Sequence, residues 1–148
     1  MKLTVFGATG ATGEEIVRAG LAAGHEVTAV VRRPDAIRVA DPELRVVAGD
    51  VLQSPLDRYL VHPLLWWAFG PVYEDMRRME TLVAASDRDW TVFRPPRLTH
   101  AAATGRYRLA VDAPLPRAWT ISRADLAAAM VAAVRDSTTV GHTVSIAA

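Results

Sequence analysis

A chain of 148 residues, 51% of them hydrophobic, is long enough for one domain with a real core. Its net charge of +1 offers no field to hold nucleic acid or an anionic membrane surface, and the lack of cysteine excludes disulfides and thiolate metal sites. No apolar run approaches the roughly 20 residues of a membrane span, the densest being Leu64 to Phe69; the N-terminus enters a strand at once, with no signal peptide, so the expected compartment is the cytoplasm.

Lys2-Leu3-Thr4-Val5-Phe6 alternates as a strand and runs directly into Gly7-Ala8-Thr9-Gly10-Ala11-Thr12-Gly13, after which a helical pattern opens at Glu14 and extends to Ala23. In this context Gly7 allows a tight turn. Gly10 lacks the Cβ that would hold a ligand's phosphates off the backbone, and Gly13 lets the helix sit close to the strand. The free N–H groups of the first helical turn and the positive end of the helix dipole then face whatever lies above the turn, as a pyrophosphate site requires. The expected cofactor-binding residues are Gly7, Thr9, Gly10, Ala11, Thr12 and Gly13. The plainer alternative is a glycine turn that only reverses the chain.

Gly24 ends the helix, and Glu26 to Val31 reads as a buried strand, completing a βαβ unit of about 30 residues. An NAD site would carry an acidic residue here for the ribose 2′-OH; this chain has Arg32-Arg33-Pro34 instead. Two guanidinium groups favour a 2′-phosphate, so NADP(H) is expected over NAD(H), with a solvated basic loop as the alternative. Asp35 to Val39 reads as one helical turn. Leu44 to Ala48 reads as a third strand, ending in Gly49-Asp50-Val51, where Asp50 would accept from the adenine amino group and Val51 pack on its face; a plain turn aspartate explains Asp50 equally well.

The glycine motif, Val31-Arg32-Arg33 and Gly49-Asp50-Val51-Leu52 together resemble the atypical short-chain dehydrogenases of the NmrA-like type, in the NADP(H)-binding group that includes the flavin reductase biliverdin reductase B. Met79-Glu80, Trp90 to Pro96 and Thr104-Gly105-Arg106-Tyr107 match the second half of that family. The resemblance implies an α/β fold, a Rossmann-type doubly wound parallel sheet in three αβα layers, as a single NAD(P)-binding domain over residues 1–148. It also implies that the loop at Pro95 and Pro96 walls the nicotinamide.

Between Val51 and Asp89 no pair of strand-like runs flanks a helix, so the family's fourth and fifth strands are lacking. The alternatives are a deletion, natural or engineered, and a chain of which part is absent from the sequence. If the chain is continuous, Trp90 to Phe93 is expected to pair in parallel with Leu3 to Phe6, giving the order third, second, first, then Trp90 to Phe93 and the terminal strand. The rival is a break near Gln53 to Leu56.

A helix from about Val72 to Ala85 places Met76, Met79, Leu82 and Val83 at core spacing. Where typical short-chain dehydrogenases start this helix with Tyr-x-x-x-Lys, the family frame places Val72 and Met76. Tyr73 with Arg77 keeps the spacing one residue out of frame, about 100° around the helix, so no catalytic residue is assigned. Arg106 to Leu109 and Trp119 to Ile121 read as short outer strands, Ser122-Arg123-Ala124-Asp125 as a capping box for a final helix, and Thr143 to Ile146 as the closing strand. His25, His62, His100 and His142 are too scattered for a metal site, and no serine has the Gly-x-Ser-x-Gly setting of a hydrolase.

Two functions remain open. One is an oxidoreductase that passes hydride from NADPH to a flat conjugated small-molecule acceptor, flavin-like or biliverdin-like. The other is an NADP(H)-binding sensor or regulatory module without turnover. Either would be a monomer or a weak homo-oligomer, with no nucleic-acid or membrane partner.

Overall fold

The computed structural model describes residues 1–49 and 80–148. The chain divides into two compact units, Met1–Gly49 with Thr91–Ala148, and Asp50–Trp90. In the second unit residues 80–84 are helical. The rest of the expected helix from Val72, with Tyr73 and Arg77, and the junction at Gln53 to Leu56 lie outside the described residues.

The first unit opens with β1 (Lys2–Phe6), α1 (Ala11–Ala22), β2 (Glu26–Val31) and, after a short 3-10 turn at Pro34–Ala36, β3 (Leu44–Ala48). These strands form a parallel sheet in the order β1-β2-β3, with Phe6 opposite Val30 and Val31 opposite Ala48. Parallel neighbours need a crossover, and α1 supplies it in right-handed βαβ fashion. Val5, Val27, Ala29 and Val31 point to the helix side and pack with Ala8 and Val17.

α1 starts three residues before the expected Glu14, because the amide of Glu14 donates to the carbonyl of Gly10 at 2.9 Å and so draws Ala11, Thr12 and Gly13 into the first turn. At its other end the amide of Gly24 donates to Leu21 and that of His25 to Gly20, the paired bonds of a Schellman motif. That turn carries His25 inward, where it is only 3% exposed.

The remaining strands are β4 (Thr91–Arg94), β5 (Arg97–Thr99), β6 (Arg108–Val111), β7 (Thr120–Ser122) and β8 (His142–Ala147), with α2 (Arg123–Ala133) between β7 and β8. β4 and β8 pair in parallel and β6 adds antiparallel to β8; β5 and β7 form a separate parallel pair. Leu126 and Ala129 of α2 pack on Ile121 and Ile146, with Phe93, Leu98 and Tyr107 around them.

The expected pairing of the first strand with the strand at residues 90–93 is not formed. β4 takes the terminal strand β8 as its partner, and β1 has β2 alone among the described strands. The two three-stranded sheets are joined instead by α1 and α2, which pack against each other. The alanine-rich sequence of α2 permits a close approach. Arg135, just beyond α2, donates from Nη2 to Nδ1 of His25, just beyond α1, at 3.4 Å. With both C-terminal ends tied together, the two helices run side by side in one direction, and their N-termini lie at the same end.

Burial lowers the pKa of His25 below its ordinary 6.5, and the Arg135 guanidinium and the N-terminal ammonium lower it further. The folded protein therefore binds fewer protons here than the unfolded chain, so stability present above about pH 6.5 is lost as pH falls toward the folded pKa. Urea midpoints measured from pH 7 down to pH 5 should fall, and His25→Gln should flatten that fall. An unchanged slope in the variant would place the proton uptake elsewhere.

Candidate functional site

At the C-terminal end of β1 the chain turns within four residues. Gly7 takes a φ of +71°, which glycine adopts without penalty, and its carbonyl accepts from the amide of Gly10 at 2.9 Å. Gly10 then caps α1 with an extended backbone, φ −81° and ψ 156°, and with no side chain to occupy the first helical donors. The amides of Ala11, Thr12 and Gly13 have no hydrogen-bond partner among the described residues. Three amides at a helix start make a concave set of donors suited to an anion.

Steric demands at the glycines differ. A Cβ on Gly13 would stand 2.3 Å from the Gly7 oxygen and 2.9 Å from Cα of Ala8, so only glycine fits where the helix crosses the turn. A Cβ on Gly10 would meet only the Gly7 oxygen, at 3.3 Å, and the surface there is open. Gly13 thus serves the fold, while Gly10 serves whatever approaches from outside. Ala8, the residue not expected to bind, is 2% exposed and belongs to the core; Thr9 and Ala11 are exposed and Thr12 is half-buried.

Arg32 and Arg33 follow the end of β2, the strand beside β1, and both are exposed. The register sets Phe6 opposite Val30, so the arginines begin one residue beyond the level of Gly7 on a strand about 4.8 Å away. Neither forms an ion pair among the described residues. The one acidic side chain in the first turn of α1, Glu14, is paired with Arg18 one turn on, which leaves the helix start electropositive. Gly49 continues the same edge, its amide bonded to the Val31 carbonyl at 2.9 Å. Asp50 and Val51 lie outside the described residues. Pro95 and Pro96 are half-buried at the end of β4, in the other sheet.

The expected capping box is half formed. Ser122 Oγ accepts from the amide of Asp125 at 2.9 Å, but the Asp125 carboxylate does not return the bond. It accepts instead from the amides of Gly105 at 2.8 Å and Thr104 at 2.9 Å and from the hydroxyls of Ser122 at 2.8 Å and Thr104 at 3.1 Å. Burial opposes its charge, yet the donors from Gly105, Ser122 and Thr104 outweigh it and hold the carboxyl below its usual range. Asp125 thereby pins the loop after β5 to the start of α2. Beside it Arg123, the first residue of α2, has a buried Nη1 without a hydrogen-bond partner among the described residues. A cation at a helix N-terminus opposes the dipole, and Arg123 carries that signal in the sequence.

The sequence matches an NAD(P)H-binding family over residues 7–58 and 58–137. The chain belongs to that NAD(P)H-binding family. The two matched segments meet at Arg58. No curated protein matches it in sequence. Among solved structures it is similar to a Rossmann-fold NAD(P)-binding family protein of Shigella flexneri, with 18% identity, 98% of this chain and 92% of that one covered, and a TM-score of 0.77. A wide-type short-chain dehydrogenase/reductase of Veillonella parvula, solved in complex with NADP, is 14% identical, with 99% and 94% covered and a TM-score of 0.73. A candidate NADH-flavin reductase of Streptococcus pneumoniae is 18% identical, with 99% of each chain covered and a TM-score of 0.69. At these identities the structures establish the α/β Rossmann-like fold. No helix among the described residues is long and apolar enough to cross a membrane.

The steric contrast gives a paired expectation for this NAD(P)H-binding chain. Gly13→Ala should destabilise it by about 3 kcal/mol or more in denaturant titrations, since helix or turn must move. Gly10→Val should leave far-UV circular dichroism near that of the parent while abolishing dinucleotide binding by calorimetry. Retained binding in the valine variant would place the phosphates away from the turn.

Proposed function

We propose that the protein is an NADP(H)-binding oxidoreductase that passes hydride from the nicotinamide to a flat conjugated acceptor of flavin or biliverdin type. The observation that carries this reading is the cradle at the ends of β1 and β2, where three unpartnered amides stand next to Arg32 and Arg33. A pyrophosphate fits the amides, and a 2′-phosphate fits the guanidinium forks. Asp50 and Val51 would hold the adenine, and Pro95 and Pro96 would face the nicotinamide. When bound, the cofactor supplies the hydride, and the reduced acceptor takes its proton from solvent, so no tyrosine is required.

Family membership and the NADP-bound neighbour support the cofactor class, and the flavin reductase-like neighbour supports the acceptor class. The finer kinship, with NmrA-like proteins and the group of biliverdin reductase B, belongs to the same reading, as do a cytoplasmic setting and a monomeric or weakly associating state. One observation favours a second reading, an NADP(H)-binding sensor without turnover. Among the described strands β1 lacks a neighbour on the side where a doubly wound sheet would continue.

NADPH should bind more tightly than NADH by about 2 kcal/mol, roughly thirtyfold, if one charge-assisted fork supplies the difference. Replacing Arg32 and Arg33 together with alanine should erase that preference. Equal affinities in the unaltered protein would refute the 2′-phosphate role. Oxidation of NADPH with FMN as acceptor supports the reductase, whereas tight binding without oxidation supports the sensor.

A further inference from the structure

We infer that β6 is an interface strand, through which two copies of this chain pair edge to edge about a two-fold axis at Ala110. The pairing does not depend on what the glycine cradle holds. β6 ends the sheet β4-β8-β6, so among the described residues one of its sides has no neighbouring strand. Such an edge presents a row of backbone donors and acceptors, and folded proteins blunt it with lysine, proline or a bulge. β6 reads Arg108-Leu109-Ala110-Val111 and has no such device. Its register with β8 is unbroken, and its one charged side chain turns back, the Arg108 guanidinium donating to the carbonyls of Pro116, Arg117 and Ala148.

The ladder with β8 fixes which groups face outward. In an antiparallel pair alternate residues exchange bonds with the neighbouring strand, and the residues between them point their N–H and C=O groups away from it. The amide of Asp112 donates to the Thr143 carbonyl at 2.8 Å, which makes Asp112, Ala110 and Arg108 the residues bonded toward β8. The backbone groups of Leu109 and Val111 are therefore the ones on the open side. A second β6 laid antiparallel uses both N–H and both C=O groups in one register: Leu109 bonds the partner's Val111, Val111 bonds the partner's Leu109, and Ala110 faces its own copy on the axis. An antiparallel strand pair has two-fold symmetry, so the same edge serves both subunits.

The side chains agree with that register. Leu109 and Val111 share a face with Ile146 and Val144, opposite them on β8, yet they are 49% and 42% exposed where those two are buried. Across the axis each leucine meets a valine, and these apolar side chains cover one another. The two ends of the strand carry opposite charges, and antiparallel pairing sets Arg108 beside the partner's Asp112, which selects a second copy over an unrelated strand. Asp112 takes a φ of +50°, and its carboxylate accepts from the Thr143 amide at 2.9 Å and hydroxyl at 3.0 Å, so the chain leaves the sheet there. At the other end Trp119, 78% exposed, stands beside the turn at Pro116 and Arg117 that the Arg108 guanidinium holds. A ladder this short gives a weak, closed dimer.

The lack of cysteine supplies a clean test, because Ala110→Cys introduces the only thiol in the chain. Facing residues of a non-hydrogen-bonded antiparallel pair lie close enough for a disulfide. Under mild oxidation Ala110→Cys should form a covalent dimer at least about tenfold faster than Ser137→Cys, an exposed position away from β6. Sedimentation velocity of the unaltered protein should show a monomer–dimer equilibrium in the micromolar range. Ala110→Glu and Ala110→Lys each set like charges face to face on the axis and should weaken it at least about tenfold, with far-UV circular dichroism near that of the parent, while a mixture of the two should pair again. In the unaltered protein, hydrogen exchange at the Leu109 and Val111 amides should slow as the concentration rises through the dimer range. Amides already protected in the dilute monomer show that the chain covers its own edge and overturn the inference. So do a monomer at every concentration, assembly beyond the dimer, and dimerisation indifferent to the charge at position 110.

Discussion

The carbonyl oxygen of Gly7 lies 2.3 Å from where a Cβ at position 13 would stand, and that contact fixes how α1 meets β1. With no side chain in the way, the helix begins directly on the turn, and its first three amides open outward rather than against the strand. The same approach seats Val17 on Val5, Val27 and Ala29, so the core of the first sheet and the anion cradle depend on one close passage. A bulkier crossing would lift the helix, thin the core and turn the donors away together.

Charge is distributed around that cradle with little waste. Glu14 would repel a phosphate, and Arg18 neutralises it one turn away. Arg32 and Arg33 stand exposed at the neighbouring strand end. Asp125, the buried carboxylate of α2, directs its acceptors to the loop at Thr104 and Gly105 and to the Ser122 hydroxyl. The result is a site rich in donors, with Glu14 and Asp125 otherwise engaged.

Local signals carried much of this into the sequence. The third strand, Leu44–Ala48, falls where its residue types put it, and the turn at Gly7 and the close passage at Gly13 follow from glycine spacing and order of elements. The start of α1 was hidden because the bond from Glu14 to Gly10 joins backbone atoms and is independent of side chains. The true role of Asp125 was hidden because its partners Thr104 and Gly105 precede it by about 20 residues, outside the reach of a capping rule. Strand pairing was the largest miss: β4 looked like a neighbour for β1, but register and partner choice are settled by tertiary packing that a pattern of alternation does not encode.

The helix seam also changes what substitution can do. Strands joined by a ladder of backbone bonds can shift only by whole registers, whereas helices held by side-chain volume can shift by fractions of an ångström. Because α1 and α2 link the two sheets among the described residues, adding or removing a methyl group along their contact would slide the half bearing Arg123 relative to the half bearing the glycine cradle, with both ladders intact. Ligand geometry in this fold is thus adjustable from the interior, by residues that touch no ligand.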